Sequence, residues 1–257
     1  MMNEIQTYLE EDGLLHCAVC KEPVEAFYPK GSFLEMRKHH RQCACERQAY
    51  AEEVKYYKEK EHQERVVRNK KICFEEKEME DFIFQNVDRD SGAIRIAKEY
   101  VANWQKMKKN HMGYLFWGPV GTGKSYLAAC IANALLEQEV TVKMTNFNTI
   151  LNDLFAAEDK TEYVRLLNVY ELLIIDDLGV ERNSEYALEN IFSVIDWRYR
   201  SGKPLIITTN LPLAQLKQET KIEKKRIYDR ILERCIPVKI DGVSRREAMA
   251  NDNMQTM

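Results

Sequence analysis

The stretch GYLFWGPVGTGKSYLAACIANALL, residues 113–136, decides how the rest of the chain is read. GYLFW is a short apolar run of strand character, and SYLAACIANALL has the composition and spacing of a helix. Between them GPVGTGKS, Gly118 to Ser125, matches G-x-x-x-x-G-K-[ST]. Strand, glycine-rich turn and helix in this order make a phosphate-binding loop. Glycines let backbone N–H groups curl around phosphates, and the helix start adds the positive end of its dipole. Gly118, Pro119, Val120, Gly121, Thr122 and Gly123 form the cradle, Lys124 reaches the β and γ phosphates as a point charge, and the Ser125 hydroxyl ligates Mg²⁺. The ligand this chemistry requires is a triphosphate with its magnesium ion.

Outward from the loop, strands and helices alternate. The loop helix reads to about Gln138. After it come the strand VTVKMTN, two shorter helices, the strand LLIID, a helix around 184–200, the strand PLIITTN, and a final helix and strand. Upstream, Ser91 is placed to N-cap a helix burying Ile94, Ile96, Ala97, Val101 and Trp104. Such alternation predicts right-handed crossovers and a parallel sheet with helices on both faces, an α/β fold of three layers. The continuous apolar character of LLII suits a strand covered on both sides.

Further polar residues fall where strands end. ELLIIDDLG closes on Asp176 and Asp177, and a carboxylate at the end of a buried strand beside the loop is what a magnesium ligand of the Walker B type requires, a role given to Asp176. Asp177 reads either as the base that orients attacking water or as a cap of the turn at Gly179. PLIITTN finishes on Thr208, Thr209 and Asn210. Asn210 reads as the group that positions water near the γ-phosphate, or else as a cap of the following loop. In KKRIYDRILERC, Arg226, Arg230 and Arg234 share one helical face from which they can project, with internal ion pairs to Asp229 and Glu233 as the alternative. The functional reading of this face is an arginine finger, inserted into a neighbouring subunit's nucleotide. GVSRR, residues 242–246, offers Arg246 as a phosphate sensor, or is simply the start of a polar tail.

The amino-terminal part has a different character. Cys17-Ala-Val-Cys20 and Cys43-Ala-Cys45 offer four thiolates from two short turns, a set that fits tetrahedral Zn²⁺, with His16, His39 and His40 close enough to replace one ligand. A module this small needs such a staple, because its core is slight. The expected organisation is a zinc-binding module over 1–45, a helical linker over 46–73, an ATPase domain over 74–246 and a flexible tail over 247–257. The linker has no Gly or Pro and carries interleaved charges of both signs, so it reads as a long exposed helix.

Composition sets the limits. Among 257 residues, 45% are hydrophobic and 31% charged, with 10 Gly and 6 Pro, which excludes disordered and collagen-like chains. The longest apolar runs fall far short of the roughly 20 residues that cross a bilayer, so no membrane partner is expected. The acidic start MMNEIQTYLEEDG lacks the pattern of a secretory signal, which predicts a cytoplasmic location and reduced thiols rather than disulfides. With 38 basic against 41 acidic side chains, net charge −3, no bulk positive field draws the chain to nucleic acid, and any DNA contact is local.

Taken together, GPVGTGKS, LLIIDDLG, IITTN, the IYDRI helix and GVSRR resemble the P-loop AAA+ ATPases of the DnaC/DnaI-type helicase-loader and IstB-like family, over about residues 74–246. The amino-terminal cysteine module resembles the zinc-binding, helicase-contacting domain of many phage and Firmicutes-type loaders, which implies that residues 1–45 are a partner-interaction module. The resemblance implies an AAA+ ATPase that binds ATP, forms a homo-oligomer when ATP-bound, grips single-stranded DNA and loads a hexameric replicative helicase onto it. By motif, Arg230 falls at the family's finger and Arg246 at its terminal sensor, while Phe82, Phe84 and Val87 of DFIFQNVD correspond to the linker lying against adenine. An IstB-like helper ATPase for DNA transposition is the alternative, since that branch shares every ATPase motif; the metal module favours the loader. A small-molecule P-loop kinase leaves Arg230, Arg246 and Asn210 without purpose.

Overall fold

The computed structural model describes residues 6–86, 92–179 and 184–242. Val87, Ser91, Arg246 and the segment 247–257 lie outside the described residues. The chain divides into two compact units, one up to Glu64 and one from Arg65 onward.

The first unit is built from two small antiparallel pairs. Strand β1, Thr7–Leu9, pairs with β2, Leu15–Cys17, and β3, Glu25–Phe27, pairs with β4, Lys38–His40. These three-residue strands were not anticipated, because at this length period-2 patterning carries almost no signal. Among the described residues, the buried apolar cluster here is Cys17, Val24 and Cys43. Helix α1, Ala44–Cys73, then runs for 30 residues across the boundary between the units. It holds together because good helix formers run without Gly or Pro, and along its length only Val66 and Cys73 are buried.

The second unit is a sheet between two helical layers. Helices α2, Gly92–Ala102, and α3, Trp104–Lys109, precede β5, Gly113–Trp117, and α4, Lys124–Leu136. There follow β6, Val142–Asn146, α5, Phe147–Ala156, α6, Lys160–Leu167, and β7, Leu172–Leu178. Helix α7, Glu185–Ser201, β8, Leu205–Thr209, α8, Leu213–Lys217, α9, Ile222–Arg234, and β9, Cys235–Lys239, complete it. Strand order is β6-β7-β8-β5-β9, and every neighbouring pair is parallel. β8 therefore lies between the loop strand β5 and the aspartate strand β7, within the expected three-layer α/β arrangement.

Side chains alternate across the sheet with period 2. Phe116, Ile174 and Ile206 pack with Leu127, Ile131 and Tyr100 on one face; Leu115, Ile175 and Ile207 pack with Ile150, Ile191 and Ile231 on the other. Burial on both faces explains why these strands read as unbroken apolar runs. No helix among the described residues is long and apolar enough to cross a membrane.

One buried cation was not foreseen. Arg198 is 1% exposed, and its guanidinium donates to the carbonyls of Tyr170 and Glu171 at 2.9 Å and of Pro204 at 2.6 Å, stitching α7 to the starts of β7 and β8. Burial draws its pKa down to about 9. Arg198→Met keeps the apolar stem but orphans these carbonyls, so a loss of about 2 to 4 kcal/mol is expected. A thermal melt is expected to show a midpoint roughly 5 to 15 °C lower; an unchanged midpoint would contradict the assignment.

Candidate functional site

The loop lies where β5 hands the chain to α4. Gly118, Gly121 and Gly123 adopt φ of 148°, 80° and 91°, values that side-chain-bearing residues avoid. At Gly118 the constraint is doubled, since a Cβ there would sit 2.2 Å from the Ile240 carbonyl oxygen. The turn formed by Pro119, Val120 and Thr122 closes with the Thr122 hydroxyl donating to the Pro119 carbonyl at 2.9 Å. Lys124 is 5% exposed, and its Nζ donates to the carbonyls of Gly118 at 3.1 Å and Pro119 at 2.7 Å. The ammonium thus curls over the loop and holds it ready for an anion.

Asp176 lies in β7, two residues before the strand's last residue, Leu178. Its carboxylate accepts hydrogen bonds from Ser125 and Thr208, tying the aspartate strand to the loop helix and to β8. Burial raises its pKa, and the Thr208 and Ser125 donors work against that rise. A hydroxyl and a carboxylate meeting at a buried edge are hard oxygen donors, and they fit Mg²⁺ beside a phosphate loop. Asp177 adopts φ of 59° and is exposed, turned away from the buried path of the strand. Asn210 follows the last residue of β8 and lies at the same edge. A cavity of about 400 Å³ opens beside Asp176 and Asp177, lined also by Glu75, Asn146 and Thr149.

The linker ahead of the sheet is fastened to α4. Phe82 stacks on Tyr126, ring centroids 4.6 Å apart, and the Asn133 side-chain amide donates to the carbonyls of Met79 and Phe82 at 2.8 and 3.0 Å. Phe82 and Phe84 also pack against the core. This fastens Phe82 and the turn at Met79 to α4, the helix that follows the loop. Tyr126 and Asn133 escaped sequence reasoning, since a polar residue within an otherwise apolar helix gives no hint of its partner.

The arginine helix departs from expectation. Arg230 does not project freely, because its guanidinium pairs with Asp196 on α7 at 2.7 Å and lies over the rings of Phe192, at 4.6 Å, and Tyr199, at 5.7 Å. The foreseen alternative partners, Asp229 and Glu233, are not the ones used; Glu233 instead accepts from the Tyr199 hydroxyl at 2.8 Å. Arg226 lies over Phe192 and Arg234 over Tyr199. The cause is α7, whose Phe192, Asp196 and Tyr199 recur at helical spacing and face α9, a tertiary match that α9 alone cannot reveal. Arg246 lies outside the described residues.

In the first unit Cys17, Cys20, Cys43 and Cys45 bring their sulfur atoms within 4.8 Å of one another. The histidines stand elsewhere: His16 bonds Asp12 and the Lys21 carbonyl, and His40 faces Glu46. Backbone N–H groups of Glu22 and Cys45 pull the Cys20 thiol down to about 6, whereas Cys45, bonded to Cys20, is pushed up to about 12. Four such thiols cannot all shed their protons side by side unaided. A dication removes that conflict, so the donor set fits Zn²⁺.

Comparison with known proteins accords with this geometry. The model of the family described as IstB-like ATP binding protein matches residues 42–252. The replicative helicase loader DnaC of Escherichia coli (strain K12) is 30% identical over 144 residues, 54% of this chain and 56% of that protein, so the chain spans little more than half of that relative. The replicative helicase loader DnaI of Bacillus subtilis (strain 168) is 21% identical over 271 residues, covering 95% of this chain and 82% of that protein. Among solved structures, that of DnaI superposes with a TM-score of 0.59 at 27% identity, covering 69% of this chain and 99% of that one. The DnaC helicase loader shares the fold, with a TM-score of 0.52 at 22% identity over 65% of this chain and 100% of that one.

Proposed function

This chain belongs to the family of IstB-like ATP-binding proteins, and from that premise we propose that it is a helicase loader: an AAA+ ATPase that sets a hexameric replicative helicase on single-stranded DNA with ATP as its switch. The observation that carries the reading is the extent of likeness to DnaI. That match covers 95% of the chain and so takes in the four-cysteine unit, whereas the family model begins only at residue 42. A transposition helper sharing the ATPase alone gives no reason for the metal unit.

In this reading Lys124 leaves the carbonyls of Gly118 and Pro119 for the β and γ phosphates. Ser125 and Asp176 hold the magnesium ion, which supplies charge neutralisation at the phosphates when bound. Asp177 and Asn210 orient the attacking water, and Arg246 approaches the phosphates from the carboxyl-terminal side. Arg230 completes the site of a neighbouring subunit once it exchanges Asp196 for a phosphate. Hydrolysis is slow and depends on assembly, so it acts as a release timer. The unit with Cys17, Cys20, Cys43 and Cys45 holds zinc and meets the helicase, and the domain limits are those set out from the sequence. Basic runs at Lys106, Lys108 and Lys109 and at Lys221, Lys224 and Lys225 give single-stranded DNA a local, salt-dependent contact. The location is cytoplasmic.

Arg230→Ala is expected to leave ATP binding intact while lowering assembly-dependent hydrolysis on the order of a hundredfold or more. Steady-state ATPase assays across a protein concentration series check this, and normal hydrolysis at high concentration would transfer the role to another arginine. The function itself is tested by co-purifying the tagged chain with a replicative helicase or, in parallel, with a transposase. A stable helicase complex is expected; capture of the transposase alone would establish the transposition helper instead.

A further inference from the structure

The structure assigns Thr208 as the positioning residue that holds Asp176 at the metal site and fixes the backbone turn presenting Asp177. Strand β7 does not run evenly beside β8: Ile175 pairs with Ile207 and Leu178 with Thr209, so Asp176 and Asp177 together face Thr208. This is a β-bulge, a device that re-aims side chains at the cost of a ladder bond. Its second residue, Asp177, takes φ of 59°, a left-handed conformation unfavourable to a residue with a Cβ. Something must hold it there.

The Thr208 hydroxyl does so from a position with no solvent exposure. It donates to the Asp176 carboxylate and accepts from the Asp177 backbone N–H at 3.0 Å, so one oxygen serves both residues of the bulge. The next residue repeats the device: Thr209 donates to the Leu178 carbonyl at 2.7 Å and accepts from the Leu211 N–H at 3.1 Å. Two hydroxyls thus replace ladder bonds lost where β7 bulges. On its other side Thr208 pairs in register with Phe116 of the loop strand β5, which links the aspartates to the strand that launches the phosphate loop. A valine here would fill the same volume and orphan both the N–H and the carboxylate oxygen.

This inference rests on the reading of Asp176 as the magnesium ligand, and the experiment separates the two. Binding of a fluorescent ATP analogue to the full chain is titrated with Mg²⁺ and repeated in EDTA, for wild type, Thr208→Val, Thr208→Ser and Asp176→Asn. Thr208→Val is expected to raise the half-saturating Mg²⁺ concentration about tenfold to a hundredfold, the usual effect of removing a group that orients a metal ligand, with metal-free nucleotide binding unchanged. Thr208→Ser, which keeps the hydroxyl, is expected to stay close to wild type. Should the valine variant not fold, Thr208→Cys, of similar size and a far weaker hydrogen-bond donor, takes its place. Wild-type magnesium dependence in the valine or cysteine variant overturns the assignment, as does an equal loss of binding with and without the metal, which marks a plain structural prop. If Asp176→Asn itself leaves the magnesium dependence unchanged, the ligand reading fails first and the Thr208 assignment goes with it.

Discussion

Lys124→Ala is expected to reduce ATP affinity by roughly 30-fold to several thousandfold, the effect of losing about 2 to 5 kcal/mol when one partner of a shielded charged pair is removed. Two features place the variant toward the larger end. The ammonium is 5% exposed and confined to the loop, so no neighbouring lysine can substitute for it. Its removal also takes from the loop the one side-chain cation that the reading places on the β and γ phosphates. The fold should tolerate the change, because the turn is set by glycines at positive φ and by the Thr122 bond rather than by the lysine. Calorimetric titration with ATP and magnesium, paired with a thermal melt, checks both halves. A Kd within threefold of wild type would mean that the triphosphate lies elsewhere.

Cys43→Ser is expected to empty the first unit of zinc and unfold it while leaving ATP binding within about twofold of wild type. Among the described residues the unit's buried apolar cluster is Cys17, Val24 and Cys43, too little to offset chain entropy without a metal. Structural zinc sites contribute apparent binding energies of about 10 to 16 kcal/mol, far more than such a cluster supplies. Serine oxygen is a poor replacement for thiolate, and Cys43 is fully buried, so no solvent ligand replaces it easily. Metal analysis should fall from close to one zinc per chain to near zero, and amide exchange over residues 6–43 should become fast. Retained protection in that segment would show that the hairpins fold without metal.

The second unit was legible where chemistry and periodicity coincide. The loop, the β7 aspartates and the alternation of strands and helices follow from residues whose roles are local: glycines that must take positive φ, a lysine and serine at fixed offsets, apolar runs covered on both faces. What escaped is relational. Arg230 points toward Asp196 because α7 offers a carboxylate and two rings at matching spacing, and nothing in α9 announces that partner. Arg198 reads as an ordinary surface arginine until three carbonyls converge on it. The short hairpins of the first unit lack the length for a pattern, although the four cysteines alone pointed to a metal. Thr208 left one trace, a hydroxyl in a strand that would otherwise finish on isoleucine, and its meaning emerged only with the bulge opposite.

The claim of an ATP-switched loader is tested most directly by counting helicase hexamers retained on circular single-stranded DNA after incubation with the purified chain and ATP, ADP or no nucleotide. Retention is expected to rise well above the helicase-only level with the wild-type chain and ATP, and to fall back to that level with Lys124→Ala. Equal retention in every nucleotide state, or none above helicase alone, would contradict it.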